Sequence, residues 1–236
     1  MSRGCKVLAT GPTKPQETDE TLGGLATSQK SWKHPVQAET DMPETFLSKT
    51  NQSSCADENL DQDGRRLVDA ALAILAQGEE LLRTLPQERY VQRIPQAGNG
   101  SIGAHYRHCL DHFSSLLKSL HLSVVDYDLR ERDVRIETQT EFALLRTQEI
   151  CAALDSIPPQ RLQDPVWARC QVSYAPGESP VTRSTFSREL VYAIAHAIHH
   201  YALISIMARL MEASLPDRFG IAPSTLAYHH SKEAHP

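Results

Sequence analysis

The stretch Thr185-Phe-Ser-Arg-Glu-Leu-Val-Tyr-Ala-Ile-Ala-His-Ala-Ile-His-His-Tyr-Ala-Leu-Ile-Ser-Ile-Met-Ala-Arg-Leu-Met-Glu-Ala213 decides the fold. Leu190, Ile194, Ala197, Tyr201, Ile204, Met207 and Met211 recur at steps of three and four, the signature of a helix that buries one face. Ser184, Thr185 or Ser187 offers an N-cap, and Glu189 suits the positive end of the helix dipole. The same run carries His196, His199 and His200. His196 and His200 are four apart, so they stack on one side of the helix and can aim ring nitrogens at one point.

Upstream of this helix the chain changes character. Trp167-Ala-Arg-Cys-Gln-Val-Ser-Tyr174 and Pro180-Val-Thr-Arg-Ser-Thr185 lean toward β structure, with Ala175-Pro-Gly177 between them, so a short hairpin is expected there. A helix is expected over 133–154, with Phe142, Leu145, Ile150 and Leu154 inward, stopping before Ile157-Pro-Pro159. Before it, Ile102, Tyr106, Cys109, Phe113, Leu116, Leu117 and Leu120 form another stripe, preceded by a loop marked by Gly98, Gly100 and Gly103. The first stripe, over 63–85, comprises Leu67, Val68, Ala71, Leu72, Leu75, Leu81, Leu82 and Leu85; Asp61 or Asp63 caps it and Pro86 ends it. Four amphipathic helices with one long third connection predict an all-α four-helix bundle, with the short β-like hairpin between helices three and four.

The chain has 236 residues, a length for one domain with appendages. Residues 1–60 are Thr, Ser, Gln, Glu, Lys and Pro without a sustained apolar period, and are expected to be a disordered tail with at most a short docking piece over 42–47. The expected division is therefore tail 1–60, bundle 61–226 and C-terminal tail 227–236. A net charge of −5 gives no electrostatic reason for a nucleic-acid partner. No run approaches the roughly 18 consecutive apolar residues of a membrane span, so no membrane is expected. The five cysteines, Cys5, Cys55, Cys109, Cys151 and Cys170, are scattered without CxxC spacing, which speaks against a disulfide framework or a zinc ribbon. The cytosol is the expected location. A mitochondrial presequence is the alternative, since Arg3, Lys6 and Lys14 precede the first acid.

Six of the eleven histidines sit on two of the helices. His105, His108 and His112 lie at i, i+3 and i+7, facing the pair His196 and His200 if the helices are neighbours. Two ligands at i, i+4 plus a third from across the bundle make a three-histidine site with open coordination positions, the pattern of catalytic rather than structural metals. Hydrogen-bonded histidines also occur in ordinary cores, so a single pair would not suffice; two facing clusters carry the reading. His199 is one step off the pair, and His229, His230 and His235 belong to the expected tail. Cys109 is read as a small buried hydrophobe. No Glu stands three before a His, no HExxH, GxSxG, Walker A or GxGxxG occurs, and these absences remove the carboxylate-bridged di-iron, zincin, common hydrolase and nucleotide readings.

Ser101-Ile-Gly-Ala-His-Tyr-Arg-His108-Cys-Leu-Asp-His112-Phe followed by Arg188-Glu-Leu with His196-Ala-Ile-His-His200-Tyr-Ala-Leu-Ile resembles the DinB/YfiT-like superfamily over about 62–226. Tyr127-Asp-Leu-Arg130-Glu-Arg132-Asp133 and Phe219-Gly-Ile-Ala-Pro223-Ser-Thr225 resemble a little-studied subgroup of it. The resemblance implies an up-down-down-up bundle holding one divalent metal ion (zinc, nickel or iron) on His108, His196 and His200. On a helical wheel His105 lies nearer the apolar stripe and stays a rival to His108. Tyr201-Ala-Leu203 stands where the family often has Arg-Gly-Gln.

Members of the superfamily include thiol S-transferases and isomerases, so the resemblance implies a metal-dependent transferase or hydrolase that activates a thiol or water. Tyr106, Arg132 and Tyr192 are then the candidates for orienting a small-molecule substrate, and a homodimer is one implied assembly. A non-catalytic interaction protein, using its surface and residues 1–60, is the alternative function; a purely structural metal is a third. The Tyr127–Asp133 run is open between substrate binding and a connection stapled by Asp–Arg pairs. The Phe219–Thr225 run either folds back over the bundle end or only terminates the last helix.

Overall fold

The computed structural model describes residues 53–233, with side chains over 60–232. Four long helices carry the architecture: α1 (Ser53–Thr84), α3 (Ile102–Leu122), α5 (Thr140–Asp155) and α6 (Phe186–Leu210). α3 packs on α6 and α1 on α5, while α1–α6 and α3–α5 contacts close the bundle. Short helices α2 (Gln87–Val91) and α4 (Val134–Thr138) buttress α3, and α7 (Pro223–Glu233) follows the bundle. The fold is thus mostly helical, as the four stripes predict.

A three-stranded sheet joins the helices: β1 (Val124–Asp126), β2 (Pro165–Arg169) and β3 (Val181–Thr185), in that order. β2 and β3 are antiparallel, pairing Trp167 with Arg183, and form the expected hairpin. β1 is an addition: it runs parallel to β2, with Val124 opposite Trp167. Its only local sign is a pair of β-branched residues, too short to register as a strand. Because β1 follows α3 and β3 leads straight into α6, the sheet ties one end of both helices together.

Three boundaries depart from expectation. α1 begins at Ser53, inside the segment assigned to a tail; extending an established helix adds one hydrogen bond per residue fixed and needs no apolar stripe. The remainder of that segment, 1–52, lies outside the described residues. The helix expected over 133–154 is broken at Gln139, whose backbone is extended (φ −137°, ψ 108°). Gln87 fills the break: its amide donates to the Thr138 carbonyl at 2.6 Å and its oxygen accepts from the Thr140 N–H at 2.9 Å. The inward face of α5 is Ala143, Thr147, Ile150 and Leu154, leaving Leu145 49% exposed and Phe142 half-buried. Finally, 227–233 is helical rather than a plain tail, since Pro223 pre-forms the first turn of α7 and no Gly or Pro interrupts 224–233.

α6 is long and apolar enough by composition to cross a membrane, yet here it packs against α1 and α3. Its Tyr201 is fully buried, stacked on Tyr106 at 6.2 Å and on Phe219 at 4.7 Å. Phe219 therefore folds back onto the bundle. Gly220, at φ +71°, makes that return possible; a β-carbon there would stand 2.5 Å from the Tyr201 carbonyl oxygen. Gly78 of α1 plays the matching part on the other side, leaving room for the Tyr106 and Tyr201 hydroxyls.

Candidate metal centre

Both histidine-bearing helices are capped by their own sequence. Ser101 accepts from the Ala104 N–H at 3.1 Å and Thr185 from the Arg188 N–H at 3.2 Å, so the phase of each helix is set near its start. With Tyr106, Cys109 and Phe113 of α3, and Leu190, Ala197 and Tyr201 of α6, turned into the core, the imidazoles are left on the adjoining side of the same contact. There the two rows meet.

His108, His196 and His200 each bring one ring nitrogen within 4.8 Å of the other two. The closest approach is His196 Nε2 to His108 Nε2, 2.8 Å. His105 does not join this trio; its Nδ1 pairs with His200 Nδ1 at 2.9 Å, behind the ligand set. His112 is also outside it. Its Nδ1 donates to the His108 carbonyl at 2.8 Å, and its ring stacks on His196 at 4.1 Å. His199 is exposed, as are His229 and His230 on α7.

A cation needs these rings neutral, and their surroundings keep them so. Burial, reinforced by His112, Arg130 and the neighbouring imidazoles, pulls His108 down to about 2. Burial and the adjacent histidines bring His200 to about 3, and burial brings His112 to about 4. His105 and His196 are lowered from the same first cause. Three neutral imidazoles with convergent nitrogens fit a borderline divalent cation; they are able to hold one metal ion.

The three substrate candidates fare differently. Tyr192 is half-buried at the edge of the cluster, 5.6 Å from the His196 ring and 5.1 Å from Tyr127. Tyr106 does not reach the site: it is 0% exposed in the core, its hydroxyl 2.8 Å from Thr147 Oγ1. Its stripe position, which makes it part of the core, is the reason. Arg132 also fails to reach it, standing exposed with a positive φ of 53°. The arginine that enters is Arg130, which donates to His108 Nδ1 and faces Asp111. Asp126 makes the choice, because its Oδ1 accepts from the N–H groups of Asp128 and Leu129 at 3.0 and 2.9 Å and so winds the turn that aims Arg130 inward.

Tyr127 and Glu189 are neighbours of the cluster that periodicity could not mark. The Tyr127 ring stacks on His112 at 5.1 Å, and its hydroxyl donates to Glu189 Oε2 at 2.8 Å. Ser184 donates to the other Glu189 oxygen at 2.6 Å. Tyr127, Cys170, Arg188, Glu189 and Tyr192 line a cavity of about 220 Å³ on the sheet side of the cluster. Glu189 had been legible only as a residue for the first turn of α6.

A family model described as the DinB superfamily matches residues 74–204, a span that includes His108, His196 and His200. The chain is also 32% identical over 107 residues to the protein named FK506-binding protein 5 of Rhizopus delemar, covering 45% of this chain and 28% of that one. No solved structure matches. The helical bundle, the paired histidine rows and the family match agree: the chain belongs to the DinB superfamily.

Proposed function

We propose that the protein holds one divalent metal ion (zinc, nickel or iron) on His108, His196 and His200 and acts as a metal-dependent transferase or hydrolase on a small molecule. One observation carries the reading: three neutral ring nitrogens, from two helices, converge within 4.8 Å. Three protein ligands leave coordination positions for a reactant. When bound, the metal supplies a Lewis acid that lowers the pKa of a thiol or water.

The chain's own residues supply the surroundings. Tyr127 and Tyr192 form an aromatic wall shared by the imidazoles and the cavity, so a small molecule lodged there lies against the rings that pack on the histidines. Glu189 fixes Tyr127 by accepting a hydrogen bond from its hydroxyl, and burial and the carboxylate push the tyrosine's pKa far up. Tyr127 is therefore a donor and a wall, not a base.

The test is metal content by mass spectrometry on untagged protein, wild type beside His196→Ala and His108→Ala. About one equivalent in the wild type and none in either variant is expected. Loss in His196→Ala alone would transfer the α3 ligand to His105 or His112. A correctly folded wild type without metal overturns the reading.

A further inference from the structure

Buried polar atoms ordinarily find partners, and two beside His108 do not. Asp111 is 4% exposed, and its Oδ2 accepts no hydrogen bond. Arg130 Nε is equally shut off from solvent and donates none. These residues could satisfy one another, yet Arg130 Nη1 stands 3.6 Å from Asp111 Oδ2, too far for a hydrogen bond. The same nitrogen is engaged with His108 Nδ1.

A guanidinium has donors only. His108 Nδ1 must therefore offer it a lone pair, which leaves the proton of the neutral ring on Nε2. That is the nitrogen 2.8 Å from His196 Nε2, inside the ligand trio. With Arg130 in place, His108 holds the tautomer that cannot ligate through Nε2. The contacts of the other rings leave both tautomers open or favour the Nδ1–H form: His112 Nδ1 donates to a carbonyl, and His200 Nδ1 meets another imidazole that can donate or accept.

We infer that Arg130 and Asp111 form a latch on His108, in which Asp111 is the carboxylate that holds the ring in its ligating tautomer and Arg130 releases it by moving from ring to carboxylate. The inference rests on the metal reading above. In the exchange His108 gives its Nε2 proton to solvent and takes one at Nδ1, so the ring stays neutral. The new Nδ1–H donates to Asp111, one turn along α3 and on the same side of the helix. Arg130 closes its pair with the same carboxylate, which gives the orphaned Oδ2 its partner. The move also takes a positive charge off a ligand of a cation and neutralises it. Asp111 and Arg130 are positioning residues, since both act through His108. The Tyr127–Asp133 run thereby acquires a use: Asp126 winds the turn, Tyr127 walls the cluster, and Arg130 is the moving part.

The two halves of the latch have opposite effects on metal affinity, which a structural ion pair would not. Full-length wild type, Asp111→Asn and Arg130→Met are titrated with Zn²⁺ against a chromophoric chelator and melted without zinc. Asp111→Asn should weaken zinc binding by about 10- to 100-fold, the usual effect of losing a carboxylate behind a ligand histidine. Its melting temperature without zinc should fall, because the half-buried Arg130 guanidinium loses the carboxylate 3.6 Å away, so affinity is compared on folded protein only. Arg130→Met should bind zinc more tightly than wild type. Nitrogen-15 NMR should show the His108 Nδ1–H in the zinc-loaded wild type and lose it in Asp111→Asn. Equal affinity in Asp111→Asn, or weaker binding in Arg130→Met, overturns the latch and leaves the metal site standing. A wild type that takes no zinc overturns both.

Discussion

α3 and α6 meet along two seams built on opposite rules. In one, Tyr106, Cys109, Phe113 and Leu116 face Leu190, Ala197, Tyr201 and Ile204, all within 1% of full burial. In the other, about a quarter-turn around the same helices, His105, His108 and His112 face His196 and His200, held by ring nitrogens rather than by volume. The dry seam removes apolar surface from water and needs only complementary shape. The imidazole seam desolvates basic groups, which opposes burial unless each nitrogen has a partner. One seam therefore holds the helices together, and the other is stored chemistry that the first makes tolerable.

The comparison breaks if the two seams cannot be separated by mutation. Phe113→Ala opens a cavity in the dry seam and should destabilise by about 3–5 kcal/mol, measured by denaturant unfolding, while the fraction that stays folded still takes one equivalent of metal. His200→Ala should do the reverse: it abolishes metal retention and shifts unfolding without metal by only about 1 kcal/mol. Loss of the fold in His200→Ala would mean that the imidazoles are part of the scaffold, which is the structural-metal alternative.

Acid should sharpen the contrast. His108, His112 and His200 are held at about 2, 4 and 3 in the fold, against an ordinary 6.5, by burial and by one another. The unfolded chain therefore binds more protons than the folded one at any pH between those values and 6.5. Stability then rises with pH through that window, is fully present above 6.5, and is lost as pH falls toward 3. Carboxylates contribute to any acid transition, so the informative quantity is a difference between variants. Unfolding midpoints at pH 7, 5.5 and 4.5 should fall less steeply for His200→Ala than for the wild type, and equally steeply for Phe113→Ala. Parallel slopes in all three would show that the rings are solvated rather than buried.

The dry seam was legible in the sequence because volume patterns have a period. Leu190, Ala197, Tyr201, Ile204, Met207 and Met211 were placed inward from spacing alone and are buried, while Ile194, placed inward with them, is half-buried. The imidazole seam was half legible: i, i+4 spacing brought His196 and His200 together, but spacing could not choose among His105, His108 and His112, whose roles depend on which ring each nitrogen meets across the bundle. Arg130 and Arg132 are alike in composition and neighbourhood, and only the turn wound by Asp126 sends the first inward. The break at Gln139 was equally hidden, since the residue that satisfies it, Gln87, lies 51 positions from Thr138. Tyr106, with its polar tip, was misplaced because the family resemblance made it a substrate candidate although its stripe position had already put it in the core.

That tip supplies the smallest test of the two rules. Within the dry seam, Tyr106 Oη bonds Thr147 Oγ1 at 2.8 Å, whereas Tyr201 Oη, equally buried, faces the Tyr106 hydroxyl without a well-formed hydrogen bond. A buried hydroxyl whose contact is poorly aligned returns little against its desolvation, so its removal is close to neutral; a well-made bond contributes about 1 kcal/mol. Tyr201→Phe should therefore leave the unfolding midpoint within about 0.5 kcal/mol of wild type or raise it, and Tyr106→Phe should lower stability by about 1 kcal/mol. Thr147 limits the second effect, because its hydroxyl keeps a bond to the Ala143 carbonyl at 2.8 Å when the phenol is gone. Neither change should alter metal content, since neither hydroxyl reaches an imidazole. If Tyr201→Phe cost as much as Tyr106→Phe, the phenols would be working as a polar network. The dry seam would then obey the same partner rule as the histidines beside it, and shape alone would no longer account for how α1, α3 and α6 lock together.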